Sequence, residues 1–304
     1  MKTFIFGEAM LEYHSHGGAG LRYGGDTLNT AIHMARRGCD VAYVTAVGTD
    51  PISNDLVAAW RAEGIDTAHV HRHPDRSPGI YAIHLDHVGE RSFLYWRDRS
   101  AAREMFDLPG MKETLEQARE CELIYYSLIS LAVVGDRGRR TLLELSYARK
   151  ASGRAVAYDS NYRPQLWESA AEAQEVSLAA AGAATIGLPT NVDENQLFGQ
   201  RQSMREVAER WRAAGCAEVI VKAGEEGCFY SGSGQNTTFP AQRVETVDSS
   251  GAGDAFNAGY LQARLKGADV AAAIDSAQAL ARDTLGHLGA IRIKAARGRR
   301  REPS

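Results

Sequence analysis

Several features that mark particular protein classes are scarce or missing in this sequence. Its four cysteines (Cys39, Cys121, Cys216, Cys228) are far apart and form no CxxC pair. That argues against a disulfide framework or a cysteine-based zinc site and predicts reduced thiols in a cytoplasmic protein. Long apolar runs are missing too. The longest uncharged stretch, Val176–Val192, is short and rich in Ala and Gly, so no membrane span is expected. The N-terminal apolar run is broken by Glu8, the pattern of a buried strand rather than a secretory leader. No charge sign dominates: 35 Lys+Arg against 38 Asp+Glu leave −3, and there is no global basic field to hold a nucleic acid. No lysine follows a glycine, so GxxxxGK[ST] is absent. GxGxxG fails as well, because Phe256 stands where its third glycine would be.

What is present suffices for a core: 44% of the 304 residues are hydrophobic. Short apolar runs recur at Thr3–Phe6, Val41–Val47, Leu123–Tyr126, Ala155–Tyr158, Thr185–Leu188 and Val219–Val221. Helical patterns lie between several of them: Thr27–Arg37, Asn54–Glu63, Thr141–Lys150, Met204–Ala214 and Ala255–Leu265. This alternation predicts one α/β domain over 1–304, with a parallel sheet covered on both faces. One region breaks it. Ala68–Arg97 reads as strands without helices, with His87-Val88-Gly89 as a hairpin turn, and Leu11–Tyr23 is also strand-like. Together, approximately 11–23 and 68–98 predict a small sheet standing off the main domain as a lid. His69, His71 and His73 are expected to point outward from a partly exposed strand. Trp60, Trp167 and Trp211 are expected in or against the core. Ser127 and Ser130 lack a base that would make either a nucleophile. The arginine-rich end, 294–304, reads as a solvated tail.

The strongest local signal is Asp248-Ser249-Ser250-Gly251-Ala252-Gly253-Asp254-Ala255-Phe256, between a strand-like segment and an amphipathic helix. Small residues let backbone N–H groups turn toward one point, and the helix start adds its unpaired donors and positive dipole end. Such a nest suits a phosphate whose charge grows during transfer, and Asp254 stands where it could take a proton from an attacking hydroxyl. The plainer reading is a carboxylate capping a helix. A second group, Gly24-Gly25-Asp26-Thr27-Leu28-Asn29, opens the first long helix. Its glycines permit close approach of a ligand, and Asp26 and Asn29 share a helical face and can bind hydroxyls. Asp26 as a simple N-cap is the alternative.

Both groups resemble signatures of the ribokinase-like, pfkB-type family of carbohydrate kinases, and the likeness runs from Phe6-Gly7-Glu8 to Gly289-Ala290. It implies a three-layer α/β/α sandwich with a mainly parallel sheet and a small β-sheet lid. It also implies phosphoryl transfer from MgATP to a primary hydroxyl, with Asp254 as base, the N–H groups of Gly251, Ala252 and Gly253 on the phosphoryl, and Arg163 beside it. Asn191-Val192-Asp193-Glu194 resembles the family's NxxE motif, which implies magnesium placement by Glu194 through water. Nucleotide contacts are implied for Asn161, Arg163, Asn191, Lys222, Gly224, Glu225, Gly227, Ser249 and the Gly251–Gly253 turn. A potassium ion beside Asp248 and Ser250 and a homodimer or higher homo-oligomer, with Ile80, Phe93 and Tyr95 at the contact, also follow from the likeness.

Within the family, Gly24–Thr30, Pro78–Tyr81, Tyr95–Arg97 and Asp159–Trp167 resemble the branch that acts on 2-keto-3-deoxygluconate. Leu128 stands where that branch is expected to carry glycine, at the floor of the sugar site. Sugar contacts are thereby implied for Gly24, Gly25, Asp26, Asn29, Tyr81, Tyr95, Arg97, Arg163 and Asp254. A carboxylate-bearing sugar gives a reason for the arginines, since guanidinium groups hold carboxylates with paired hydrogen bonds. Arg97 as a solvated edge-strand charge and Arg163 as a loop ion pair are the structural alternatives. A neutral-sugar kinase, a kinase for the galactonate epimer, and a silent sugar-binding regulator remain as other functions.

Overall fold

The computed structural model describes residues 2–14, 22–85 and 91–292. Among these, thirteen strands form two sheets. They are β1 (Lys2–Phe6), β2 (Met10–His14), β3 (Arg22–Gly24), β4 (Asp40–Val47), β5 (Val70–Arg72), β6 (Gly79–Leu85), β7 (Arg91–Trp96), β8 (Leu123–Ser127), β9 (Ala155–Asp159), β10 (Ile186–Gly187), β11 (Glu218–Lys222), β12 (Cys228–Gly232) and β13 (Gln235–Phe239). The helices are α1 (Asp26–Arg36), α2 (Pro51–Ala62), α3 (Met111–Glu120), α4 (Leu128–Val133), α5 (Gly135–Ala151), α6 (Ala170–Ala183), α7 (Asn191–Phe198), α8 (Met204–Ala214), α9 (Ala252–Leu265) and α10 (Val270–Leu285).

The large sheet runs β13-β12-β11-β10-β9-β8-β1-β4-β5, and from β11 to β5 all its pairings are parallel. Alternation along β1 shows why both faces are covered. Phe4 and Phe6 join the apolar cluster that includes residues of α3, α4, α5, α6 and α8, whereas Ile5 joins the cluster under α1, α2, α9 and α10. Each such fully buried side chain contributes about 1.5–3 kcal/mol. The α/β expectation therefore holds, with one addition at the edge. β12 and β13 pair antiparallel through Ser233 and Gly234, both at positive φ, a two-residue turn whose twist suits a hairpin.

The small sheet runs β3-β2-β6-β7 and branches off directly after β1. The HVHRH segment is not part of it: Val70–Arg72 pairs with β4 and closes the edge of the large sheet. The outward-pointing histidines are likewise corrected. His69 and His73 are buried and His71 half-buried, because polar partners wait for each imidazole. His69 Nδ1 lies 3.1 Å from Thr114 Oγ1, His71 Nδ1 3.1 Å from the Pro109 carbonyl, and His73 Nε2 2.7 Å from Glu104. The turn at 87–89, residues 15–21 of the first lid stretch and the tail 294–304 lie outside the described residues.

Strand order also locates the site. From β1 the chain goes outward to β4 and β5, then returns to build β8 to β11 on the other side. At such a switch point the loops leaving the strands' carboxyl ends part and leave a crevice. Glu8, Ser127, Asp159, Asn161 and Lys222 all sit at or just past those ends.

Candidate active site

Gly251 ends the small-residue turn as the N-cap of α9, at φ 71°. A side chain there is excluded twice: the backbone is left-handed, and a Cβ would lie 2.8 Å from the Ala290 Cα. Asp248 braces the turn from below, accepting the amide N–H of Ser250 at 2.8 Å and that of Gly289 at 2.7 Å. The first N–H groups of α9 have no acceptors within the helix; that of Ala252 makes one long bond, to the Ser249 carbonyl at 3.4 Å.

Asp254 lies in that first turn, buried against α1, and accepts a hydrogen bond from Asn29 Nδ2 at 2.9 Å. Burial lifts its carboxyl well above the ordinary range and the nearby charge of Asp26 lifts it further, while the Asn29 bond opposes both. Burial also raises Asp26, the first residue of α1, whose Oδ2 accepts from Asn161 Nδ2 at 3.1 Å. A third carboxylate, Asp159, is balanced by Lys222, whose Nζ donates to it at 3.2 Å and to Asn257 Oδ1 at 2.9 Å. Asn257 completes the network by donating to Asp159 at 2.9 Å and to the Tyr125 hydroxyl at 3.1 Å. All four are buried, so α9 is tied to β8, β9 and β11 directly beneath its N-terminal end.

On one side of α9 a cleft of about 780 Å³ is lined by Lys222, Gly224, Glu225, Gly227, Ser249, Ala252 and Gly253, with Thr190, Phe256 and residues of the 241–246 loop. Seven residues expected at a nucleotide thus share one cavity, and its size suits one. Asn161, Arg163, Asn191 and Gly251 are not in its wall. Asn161 belongs to the Asp26 side, as above. Asn191 donates to the Gln202 carbonyl at 3.1 Å and so fastens α7 to the loop before α8. Arg163 has a half-exposed side chain, bonded to its neighbour's Tyr162 carbonyl at 2.6 Å and 3.4 Å from Asp193. Glu194 departs furthest from expectation. It is fully buried and held by Arg210 at 2.7 Å, with burial raising its carboxyl, so here it braces α7 on α8 instead of opening toward magnesium.

On the other side lies one face of the small sheet. Tyr81 on β6 stands opposite Tyr95 on β7, with ring centroids 6.0 Å apart, and Arg97 follows Tyr95 on the same face. Burial and the charge of Glu12 raise the Tyr81 phenol, which also feels Asp254. Tyr81 donates to Glu12, and Arg97 is paired with Glu8. Arg97 is therefore buried and neutralised, which corrects its reading as a solvated edge charge. A side chain at Gly24 would come 3.1 Å from Glu12 Oε2, so that glycine admits the carboxylate. Leu128 lies in the apolar cluster with Tyr126 and Tyr158, behind the site, and its neighbour Ser127 is the one that bonds Asp26. Ser127 and Ser130 form a capping box on α4, as expected of residues without a base.

Glu8, Glu12, Asp159 and Asn257 were not singled out as site residues from the sequence. One signal was available for Glu8, a charge interrupting a buried strand. Among the described residues no group of three or more His, Cys, Asp or Glu is arranged for a metal, and no helix is long and apolar enough to cross a membrane.

Residues 12–296 match the profile of the pfkB family of carbohydrate kinases. The chain is 38% identical over 297 residues to the 2-dehydro-3-deoxygluconokinase of Dickeya dadantii (strain 3937), covering 94% of this chain and 95% of that one. With the enzyme of that name from Escherichia coli K12 it shares 37% over 299 residues, 95% and 96% of the two chains. Among solved structures, the 2-dehydro-3-deoxygluconokinase of Thermotoga maritima superposes with a TM-score of 0.83 at 22% identity, covering 97% of this chain and 96% of that one.

Proposed function

The chain belongs to the pfkB family of carbohydrate kinases, and on that footing we propose that it transfers the γ-phosphoryl group of MgATP to the 6-hydroxyl of 2-keto-3-deoxygluconate (2-dehydro-3-deoxygluconate). The products are ADP and 2-keto-3-deoxy-6-phosphogluconate. One observation carries the reading: Asp254 lies between the nucleotide-sized cleft, walled by Ala252 and Gly253, and the Tyr81–Tyr95–Arg97 face.

In this reading the triphosphate enters along the cleft and its γ-phosphate meets the start of α9. The sugar lies under the small sheet, with hydroxyls on Asp26 and Asn29 and its carboxylate toward Arg97. The 6-hydroxyl oxygen attacks phosphorus, its proton passes to Asp254, and the bond to the β-phosphate oxygen breaks as ADP leaves. The N–H groups of Gly251, Ala252 and Gly253 hold the equatorial oxygens while charge shifts between the two ends. Arg163, half-exposed at the rim, would swing onto the phosphates. The small sheet is assigned as a lid that keeps water from taking the phosphoryl group.

Magnesium arrives with the nucleotide as part of the substrate and offsets phosphate charge. Glu194 would reach its waters only if Arg210 released it. A potassium ion beside Asp248 and Ser250 rests on the family resemblance and enters no step. A homodimer through the outer face of the small sheet belongs to the same proposal.

A coupled ADP-release assay tests the reading with a panel of sugars. Turnover is expected with 2-keto-3-deoxygluconate, and much less with its galactonate epimer, fructose or ribose. Fructose preferred over every keto acid would overturn the substrate; no turnover with any sugar would point to a silent binding protein.

A further inference from the structure

Glu8 and Arg97 form a buried pair just past the carboxyl end of β1, and neither side chain is fully satisfied by the other. Arg97 Nη2 donates to Glu8 Oε2, while Arg97 Nε and Glu8 Oε1 are both enclosed and without a hydrogen-bond partner among the described residues. The space around the pair is kept by glycines from two different elements. A Cβ on Gly79 would come 3.0 Å from Arg97 Cβ and 3.2 Å from Glu8 Oε1. One on Gly25, at φ 146°, would meet the Glu8 carbonyl at 2.5 Å. The Tyr95 ring lies beside the guanidinium, its centroid 6.0 Å away.

A guanidinium has five donors in a rigid fork. Glu8 engages one edge and leaves others for a second acceptor. From this we infer that Glu8 is the positioning residue for substrate recognition: it fixes the Arg97 fork so that its free donors meet the carboxylate of the sugar acid. The inference rests on the proposed function and names what sets its selectivity. Because Glu8 already neutralises Arg97, an anion gains little from net charge alone. What remains is direction, and a planar carboxylate at the right place matches the fork where a hydroxymethyl group does not. Without Glu8 a buried guanidinium loses its hydrogen-bonded carboxylate and turns toward other acceptors or water.

The test compares 2-keto-3-deoxygluconate with 3-deoxyfructose, the same carbon chain with a hydroxymethyl group in place of the carboxylate. For wild type, Glu8→Gln and Glu8→Ala, kcat and KM are measured for both sugars and the ratio of kcat/KM values is formed. Glu8→Ala is expected to lower the preference for the acid tenfold or more, through KM for the acid, with KM for MgATP changed less than threefold. Glu8→Gln, whose amide oxygen can still accept from Arg97, should restore part of the preference. Should the alanine variant not fold, the glutamine variant gives the reading, with a smaller loss in the same direction. A ratio within twofold of wild type in every folded variant, or an equal fall in kcat for both sugars, overturns the proposal. Wild type that fails on the acid would instead sink the kinase assignment on which it rests.

Discussion

Asp254 meets two opposed demands. To take a proton it must be ionised, yet it sits buried beside Asp26, and both conditions favour its neutral form. Asn29 and the more distant positive charge of Lys222 pull the other way. Replacing Asp254 with Asn is expected to cut kcat at least ~100-fold, the size of a general-base contribution, with MgATP binding by calorimetry retained. The same variant should be more heat-stable at neutral pH by scanning calorimetry. The sign follows from linkage: a carboxyl raised above its unfolded value holds its proton longer in the folded state, so stability is lost as pH rises through the folded value. Replacing it removes that loss. The acid limb of kcat/KM should correspondingly lie above the usual carboxylate range. Residues such as Asp254, Gly251 and Gly253 are legible in the sequence because local spacing alone creates the nest. Glu8 is not, since its meaning depends on Arg97, 89 positions away.

At the scale of elements, sequence pattern finds continuous apolar runs such as β4, buried on both faces, and helices that bury one clear stripe, such as α8. Other features escape it. α6 carries a run of alanines that gives no stripe to read. β5 alternates like a small-sheet strand, but its histidines find partners on α3 and the turn before it, which draws it to the large sheet. The β12–β13 turn was readable as Ser233-Gly234 and was missed because parallel strands set the expectation. Arg149 on α5 is a charge in a helix that looks solvated by pattern, yet it is fully buried and donates to the carbonyls of Ala118, Arg119, Cys121, Glu122 and Ala155. It ties the end of α3 to β8 and β9. Arg149→Met should destabilise the fold by about 3 kcal/mol, since buried carbonyls lose charge-assisted donors; urea unfolding at neutral pH measures it. An unchanged midpoint would show that water replaces the guanidinium.

For the whole molecule, two consequences follow. The outer face of the small sheet leaves Tyr13, Leu94 and Trp96 each more than half exposed, with Ile80 beside them. Tyr95 is not part of this face, because alternation turns it inward, and the Phe93 side chain lies outside the described residues. If a second copy covers the patch, light scattering gives twice 33.0 kDa for wild type and the monomer mass for Leu94→Asp; a monomeric wild type at micromolar concentration rejects the dimer. The second concerns acid. His33 on α1 is buried against the Ala290 carbonyl, at 3.2 Å, and burial lowers its pKa to about 4. The unfolded chain therefore takes up a proton that the folded one refuses, and stability is lost as pH falls from 6.5 toward 4. The loss is roughly 3 kcal/mol if His33 acts alone. Asp26 and Asp254 shift oppositely, so the wild type minus His33→Gln difference in urea midpoints, from pH 7 to 4, isolates the imidazole. A pH-independent difference would remove His33 from this role.

The turn assigned to phosphate in the proposed function is completed from a distance: Ala290 closes against Gly251, and Gly289 hands its amide to Asp248. Glu8, which holds Arg97 on the sugar side, comes from the other end of the polypeptide. A ribosome must therefore deliver almost everything between these two points before both sides of the proposed site exist. No nascent fragment stopping short of that closure is an early catalyst, and competence appears only when the last wall arrives.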